Sequence, residues 1–180
     1  LSLRRQRQMC IRDRTHPASV GAIGKLFGMS PTKIDRANVL ELGCANGCNL
    51  IPLALNYPNA KFIGVDLSKV QIDQAKTYAQ DLGIKNIDFR HASITDVDQS
   101  YGKFDYIICH GVFSWVPEHV RSKILEISQQ LLSDQGLAYI SYNVLPGWNT
   151  VKSVRDMMIY HSSYFPNTAD KFTQASAFIR

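Results

Sequence analysis

Two carboxylates and one glycine-bearing turn have the spacing to do chemistry. Residues 38 to 49 read Asn-Val-Leu-Glu-Leu-Gly-Cys-Ala-Asn-Gly-Cys-Asn, with Glu41 two residues ahead of Gly43. An acid in that place faces a ligand that carries positive charge, such as an ammonium or a sulfonium. Gly43 and Gly47 offer the backbone freedom and the missing side chains that let a ligand lie directly against the main chain. Asp66 closes the run Phe62-Ile-Gly-Val-Asp66, a position from which a carboxylate accepts hydrogen bonds from both hydroxyls of a ribose.

These groups need a scaffold. Val39, Leu40 and Leu42 form an apolar run too short for a helix and suited to a parallel strand covered on both faces. Beyond Gly47 the pattern becomes Asn49, Leu50, Leu53, Ala54 and Leu55, ending at Tyr57-Pro58, which predicts a helix whose free N–H groups face the turn. A glycine turn between strand and helix serves nicotinamide, flavin and S-adenosylmethionine proteins alike. Dinucleotide sites use G-x-G-x-x-G with the helix start open to a pyrophosphate. Here the spacing is Gly43-x-x-x-Gly47 with Ala45 between, and nothing in the turn is built for a pyrophosphate.

The rest of the chain alternates strands and helices. Thr15 to Ser30 puts Val20, Ile23, Leu26 and Phe27 on one helical face, with Pro17 in the first turn and Gly28 closing the helix. That helix either packs on the sheet edge or acts as a lid over the ligand. Phe62 to Asp66 predicts a second strand, and Ser68 is placed to cap a helix with Ile72, Ala75, Ala79 and Leu82 on one face and Gly83 as its stop. Asn86 to His91 predicts a third strand, followed by the loop of Ser93, Ile94 and Asp96. Lys103 to His110 predicts a fourth, nearly continuous in apolar and aromatic residues. After Pro117 a helix carries Val120, Ile124, Ile127 and Leu131 and is expected to run to Gly136, with a fifth strand over Leu137 to Tyr142. Five strand-plus-helix units in alternation imply right-handed crossovers and a parallel sheet. Two further helices are expected, over Val151 to Tyr164 and Phe172 to Arg180.

Composition bounds the function. The 180 residues, 45% of them hydrophobic, suffice for one domain with a real core. Of the formal charge of +5, Arg4, Arg5, Arg7, Arg12 and Arg14 against Asp13 sit in the first 14 residues, leaving 15 basic and 14 acidic residues in a nearly neutral body. Nucleic-acid binding is therefore not inferred from charge. Residues 1–14 are read as a tail, disordered or non-native, since Ser2 to Arg14 resembles translated sequencing-adapter read-through. Four cysteines without a paired framework fit a reducing, cytoplasmic setting. Cys44 and Cys48 lack a C-x-x-C or H-x-x-x-H companion, and no metal site is expected. No apolar run approaches the ~18 residues of a membrane span.

Glu41, the turn and the acidic end of the second strand together resemble the E/D-x-G-x-G-x-G motif of class I S-adenosylmethionine (SAM)-dependent methyltransferases, with Ala45 as a one-methyl departure tolerable if its backbone dihedrals are ordinary. The resemblance extends through His16-Pro17, Leu26 to Pro31, Asn49-Leu-Ile-Pro52, His110-Gly-Val-Phe-Ser-Trp-Val-Pro117, Ser141-Tyr-Asn143, Pro146-Gly-Trp148 and Val154-Arg-Asp-Met-Met158. Those segments are similar to the catalytic half of bacterial methyltransferases that carry a C-terminal methyltransferase regulatory domain, a family that includes protein-lysine methyltransferases.

The resemblance implies an α/β, Rossmann-like three-layer sandwich with a SAM-binding core over residues 15–164. It also implies that residues 165–180 begin a truncated helical insertion and that the usual final antiparallel hairpin is missing. SAM is the implied cofactor. Glu41, Gly43, Ala45, Gly47 and Asn49 are implied to surround its methionine part, Asp66 the ribose, Ser93 and Ile94 the adenine, and Cys44, Leu67 and His110 are further candidate cofactor contacts. Asp96 is either a border of the adenine site or an ordinary turn acid. Methyl transfer is implied to an amine, that of a protein lysine, with transfer to a small molecule or a non-catalytic SAM-binding module as alternatives. A lysine nucleophile must lose a proton held to about pH 10.4 in water, which favours an aromatic-lined pocket. Trp115, Tyr142 and Trp148 are candidates to line it, or to pack in the core, and Tyr142 or Asn143 to orient the amine.

Overall fold

The computed structural model describes residues 14–177. Tyr142 and Asn143 mark the boundary between two compact units. The first is a five-stranded parallel sheet in the order β3-β2-β1-β4-β5, as the alternation predicts. Its elements are α1 (Pro17–Leu26), β1 (Asn38–Leu42), α2 (Leu50–Asn56), β2 (Lys61–Asp66), α3 (Lys69–Asp81), β3 (Ile87–His91), β4 (Phe104–Cys109), α4 (Glu118–Leu131) and β5 (Leu132–Ile140). The second unit holds α5 (Asn149–Ser162) and α6 (Thr168–Ala177), which pack on each other. The expected tail falls outside the described residues except for Arg14.

The sheet is covered on both sides, because each central strand is apolar at nearly every position. Val39, Phe62, Phe89, Tyr106 and Ile108 join Leu50 and Ile51 of α2 and Ile72, Ala75 and Ala79 of α3 in one core. Leu40, Leu42, Val65, Phe104 and Ile107 join Ile124, Ile127 and Leu131 of α4 in the other. Full burial of one such side chain contributes about 1.5–3 kcal/mol. The strand period of two puts Glu41 on the face of Val39, beneath the start of α2. Glu41 stands opposite Gly64 of β2 and Ile108 of β4. A Cβ at Gly64 would lie 2.8 Å from Cys44 Sγ and 2.8 Å from Phe89 Cδ1, so that glycine makes room for the turn that leaves β1.

Two helices end at their glycine signals. Gly83, at φ +66°, closes α3 with its N–H bonded to the Gln80 carbonyl and Ile84 N–H to that of Ala79, and Gly28 closes α1 in the same way. Ser68 occupies the N-cap of α3, but its side chain makes no capping bond; Asp66 Oδ1 accepts the Ser68 N–H instead, at 2.8 Å. Leu82 is exposed rather than part of the buried stripe.

Two sequence expectations are corrected. The face of α1 that meets the body is not Val20, Ile23, Leu26 and Phe27. Pro17, Gly21 and Gly24 are buried, Val20 packs partly, and Leu26 and Phe27 are 87% and 83% exposed. Added Cβ atoms would lie 2.7 Å from Tyr106 Oη at Gly21 and 2.7 Å from Leu137 Cδ1 at Gly24, so close approach of the helix decided its orientation, not its apolar stripe. The second correction concerns α4, which ends at Leu131 rather than at Gly136. Leu132 already pairs with Phe104 and the ladder resumes at Leu137 opposite Tyr106, with Ser133 to Gly136 bulging between. Ser133 Oγ donates to Asp105 Oδ1 at 3.2 Å, which anchors the bulge to β4.

Candidate functional site

The turn after β1 is fastened to β2. Gly43 and Cys44 donate their N–H groups to the Val65 carbonyl at 2.8 and 3.1 Å, and Ala45 donates its own to Asp66 Oδ2 at 2.9 Å. Ala45 adopts φ +49°, so its dihedrals are not the ordinary ones that the sequence comparison supposed. The left-handed region costs a residue with a Cβ roughly 1–2 kcal/mol. The two glycines also make room inside the protein. At Gly43, φ +79°, a Cβ would lie 2.4 Å from Val112 Cγ2, and at Gly47, φ +77°, 2.5 Å from Phe89 Cζ. Their missing side chains therefore admit protein side chains, besides permitting the turn.

Glu41 is 4% exposed. Its Oε1 accepts from Asn49 Nδ2 at 2.9 Å, and its Oε2 has no hydrogen-bond partner among the described residues. Asn49 Oδ1 in turn accepts from the hydroxyl of Thr15, at 3.1 Å. Asn49 stands at the cap position of α2 without capping it, its amide being engaged by Glu41 and Thr15. Burial pushes the Glu41 carboxyl up to about 7, against the pull of the Asn49 hydrogen bond and with a further push from Asp66. Burial and the Glu41 and Asp66 carboxylates hold the Cys44 thiol far above its usual range, and burial with Glu41 pushes Cys109 up to about 12.

Glu41, Gly43, Cys44, Ala45, Asn49 and His110 line one cleft of about 260 Å³, completed by Thr15, Asn46, Cys48 and Gly111. Among the described residues, its lining contains neither lysine nor arginine. The remaining predicted residues stand outside that lining. Gly47 is buried beside Phe89. Asp66 borders the turn through Ala45. Leu67 is 72% exposed, and its carbonyl accepts from His91 Nε2 at 3.0 Å. Ser93 caps the short 3-10 turn Ile94–Asp96 in a capping box with Asp96, which gives Asp96 a turn role. The His110 ring lies 6.0 Å from that of Tyr139. Trp115 and Tyr142 are exposed, not packed in the core, with the Tyr142 ring 6.1 Å from that of Phe113. Asn143 and Trp148 belong to the second unit. Among the described residues no group of three or more His, Cys, Asp or Glu is placed to hold a metal, and no helix is long and apolar enough to cross a membrane.

Sequence reasoning missed four residues of the cleft. Asn46, Cys48 and Gly111 adjoin residues already singled out, and the turn itself pointed to them. Thr15 carried no signal, since a lone threonine ahead of a Pro-started helix has no period or motif.

A family model described as "Methyltransferase domain" matches residues 34–175. Protein RP789 of Rickettsia prowazekii is 57% identical over 89% of this chain, which spans 29% of that protein. Protein RP028 of the same organism is 47% identical over 92% of this chain and 66% of its own length. Among solved structures, PKMT2 from Rickettsia typhi in complex with AdoHcy superposes with a TM-score of 0.85 and 46% identity, over 94% of this chain and 32% of the other. A SAM-dependent methyltransferase from Geobacter sulfurreducens in complex with S-adenosyl-L-homocysteine, 21% identical over 81% of this chain and 56% of its own, with a TM-score of 0.54, shares the fold.

Proposed function

Because the chain belongs to the methyltransferase-domain family, we propose that it transfers a methyl group from SAM to an amine, that of a protein lysine. The observation that carries the proposal is Glu41, a buried carboxylate: among the described residues one of its oxygens lacks a hydrogen-bond partner and no lysine or arginine lines its cleft. An unbalanced buried acid is costly unless something cationic meets it. The α-ammonium of SAM answers that need, so the residues present fit the cofactor. The AdoHcy in the PKMT2 structure, at 46% identity, supports the same reading.

Glu41 holds the ammonium, and the turn from Gly43 to Gly47 holds the methionine carboxylate end against its backbone with Asn49 alongside. Asp66 accepts one backbone N–H on each oxygen, and a carboxylate has lone pairs beyond those two for a pair of ribose hydroxyls. Leu67, Ser93 and Ile94 border the adenine. SAM, when bound, supplies an electrophilic methyl on a sulfonium. For such a displacement the chain's work is alignment of the acceptor and exclusion of water. Trp115 and Tyr142, exposed on the segments after β4 and β5, receive the acceptor, and Tyr142 or Asn143 orients its nitrogen. An apolar aromatic setting favours the neutral amine over the ammonium.

As part of the same proposal, the setting is the bacterial cytoplasm, the acceptor is not a nucleic acid, and the full-length protein carries a C-terminal regulatory domain. Calorimetry with SAM tests the cofactor; absence of affinity, or preference for a nicotinamide dinucleotide, overturns the reading. Incubating the protein with methyl-labelled SAM and cell extract tests the acceptor. Label in lysines of protein supports the proposal, whereas label confined to small molecules overturns the lysine assignment. Tight binding without transfer points to a binding module.

A further inference from the structure

Resting on the reading of the cleft as the SAM site, we propose that Thr15 is a positioning residue, whose hydroxyl braces the Asn49 amide so that the amide favours the ionised form of Glu41 and leaves one carboxylate oxygen for the ligand's ammonium. Thr15 is 1% exposed and lies ahead of α1, far in sequence from the strand that bears Glu41. Its Oγ1 donates to Asn49 Oδ1 at 3.1 Å, and Asn49 Nδ2 donates to Glu41 Oε1 at 2.9 Å. Both bonds run toward the carboxylate, and hydrogen bonds in series strengthen one another.

Direction is what matters in this chain. An ionised carboxylate only accepts, so the Asn49 amide must present its NH₂ to Glu41. A reversed amide places oxygen against oxygen and is tolerated only when Glu41 carries a proton. In the first arrangement the Thr15 hydroxyl donates to Oδ1 at 3.1 Å, which polarises the amide and strengthens its N–H bond to the carboxylate. Among the described residues, the titratable groups around Glu41 are Asp66 at the end of β2, Cys44 and Cys48 in the turn, Cys109 at the end of β4 and His110 in the cleft lining. Asp66 opposes ionisation of Glu41 and Cys44 stays protonated. The Asn49 bond is the protein contact that draws the Glu41 carboxyl down, and Thr15 acts through it.

The test is calorimetric titration of the full chain with SAM from pH 5.5 to 8.5, in buffers of differing protonation enthalpy, for wild type, Thr15→Val and Thr15→Ser. Wild-type affinity is expected to rise with pH up to about 7, with release of part of a proton on binding, and to level off before the ligand's own α-amino group titrates near pH 8. Thr15→Val is expected to bind about three- to tenfold more weakly near neutrality, the effect of one hydrogen bond, with its rise displaced to higher pH and convergence on wild type above it. Thr15→Ser restores both. Should Thr15→Val fail to fold by circular dichroism, Thr15→Ala, which adds no atoms, carries the same test. A wild-type profile in the variant, a weakening equal at every pH, or failure of serine to rescue overturns the inference. Absence of SAM binding by wild type overturns the functional reading instead.

Discussion

Asp66 Oδ2 accepts the backbone N–H of Ala45 at 2.9 Å, so the acid that ends β2 is tied to the turn that leaves β1. Its other oxygen takes the N–H of Ser68 at 2.8 Å. One side chain thus holds the glycine turn and the start of α3 together, and Asp66→Ala is expected to lose more than ligand affinity. Hydrogen bonds to a charged acceptor contribute about 1.5–3 kcal/mol each, less where water can replace the lost partner. An unfolding free energy in urea lowered by about 1–3 kcal/mol, together with loss of SAM binding by calorimetry, is the expected outcome. Unchanged affinity would remove Asp66 from the site.

Ala45 stands at φ +49°, and Ala45→Gly relieves that conformation. The relief of roughly 1–2 kcal/mol exceeds the backbone entropy that glycine loses on folding, leaving a net gain of about 0.5–1 kcal/mol. Urea denaturation measures it, and a loss of stability would show that the Ala45 methyl packs usefully.

At Gly47 the reverse substitution is severe. Gly47→Ala sets a Cβ 2.5 Å from Phe89 Cζ at φ +77°, so overpacking and backbone strain add to about 2–4 kcal/mol. Combining it with Phe89→Leu is expected to recover the packing part and leave the backbone part. Complete rescue would contradict the backbone share.

Stability of the ligand-free chain should depend on pH through Glu41. Its carboxyl is raised from 4.5 to about 7 in the folded chain, so the folded state binds more protons than the unfolded state between those values. Stability therefore falls as pH rises through that window, by up to about 1.4 kcal/mol per pH unit from this group alone, and levels off above it. Glu41→Gln is expected to flatten the slope. Thermal or urea unfolding at pH 5 and 7 checks both, and an unchanged slope in the variant would assign it to other groups.

Exposed apolar residues of α1 give a fifth contrast. Leu26→Gln is expected to shift stability by no more than about 0.5 kcal/mol, as at other surface positions. A buried leucine would cost about 2–5 kcal/mol on truncation, so the urea midpoint separates the two placements of that face.

Much of this was legible in the sequence because parallel strands declare themselves by continuous apolar runs and the two acids sit at strand ends. Glu41, the turn and Asp66 could be placed from spacing alone. What the sequence concealed was the fit between elements. The burial of α1 depends on two absent side chains, at Gly21 and Gly24, facing Tyr106 and Leu137, which no hydrophobic period reports. Ala45 hides its positive φ because alanine suggests ordinary backbone. The start of β5 was misplaced since Gly136 looked like a helix stop while Leu131 and Leu132 already belonged to two different elements. Thr15 reaches the cleft from a distant part of the chain, and only tertiary structure brings it to Asn49.

Gly21 and Gly24 have one more consequence. The distance at which α1 rides on the sheet is fixed by two hydrogen atoms, and Thr15 is carried at the front of that helix. A single methyl group inserted at either glycine would lift the whole lever, so volume at the helix midpoint reaches Asn49 and, through it, Glu41 without touching either.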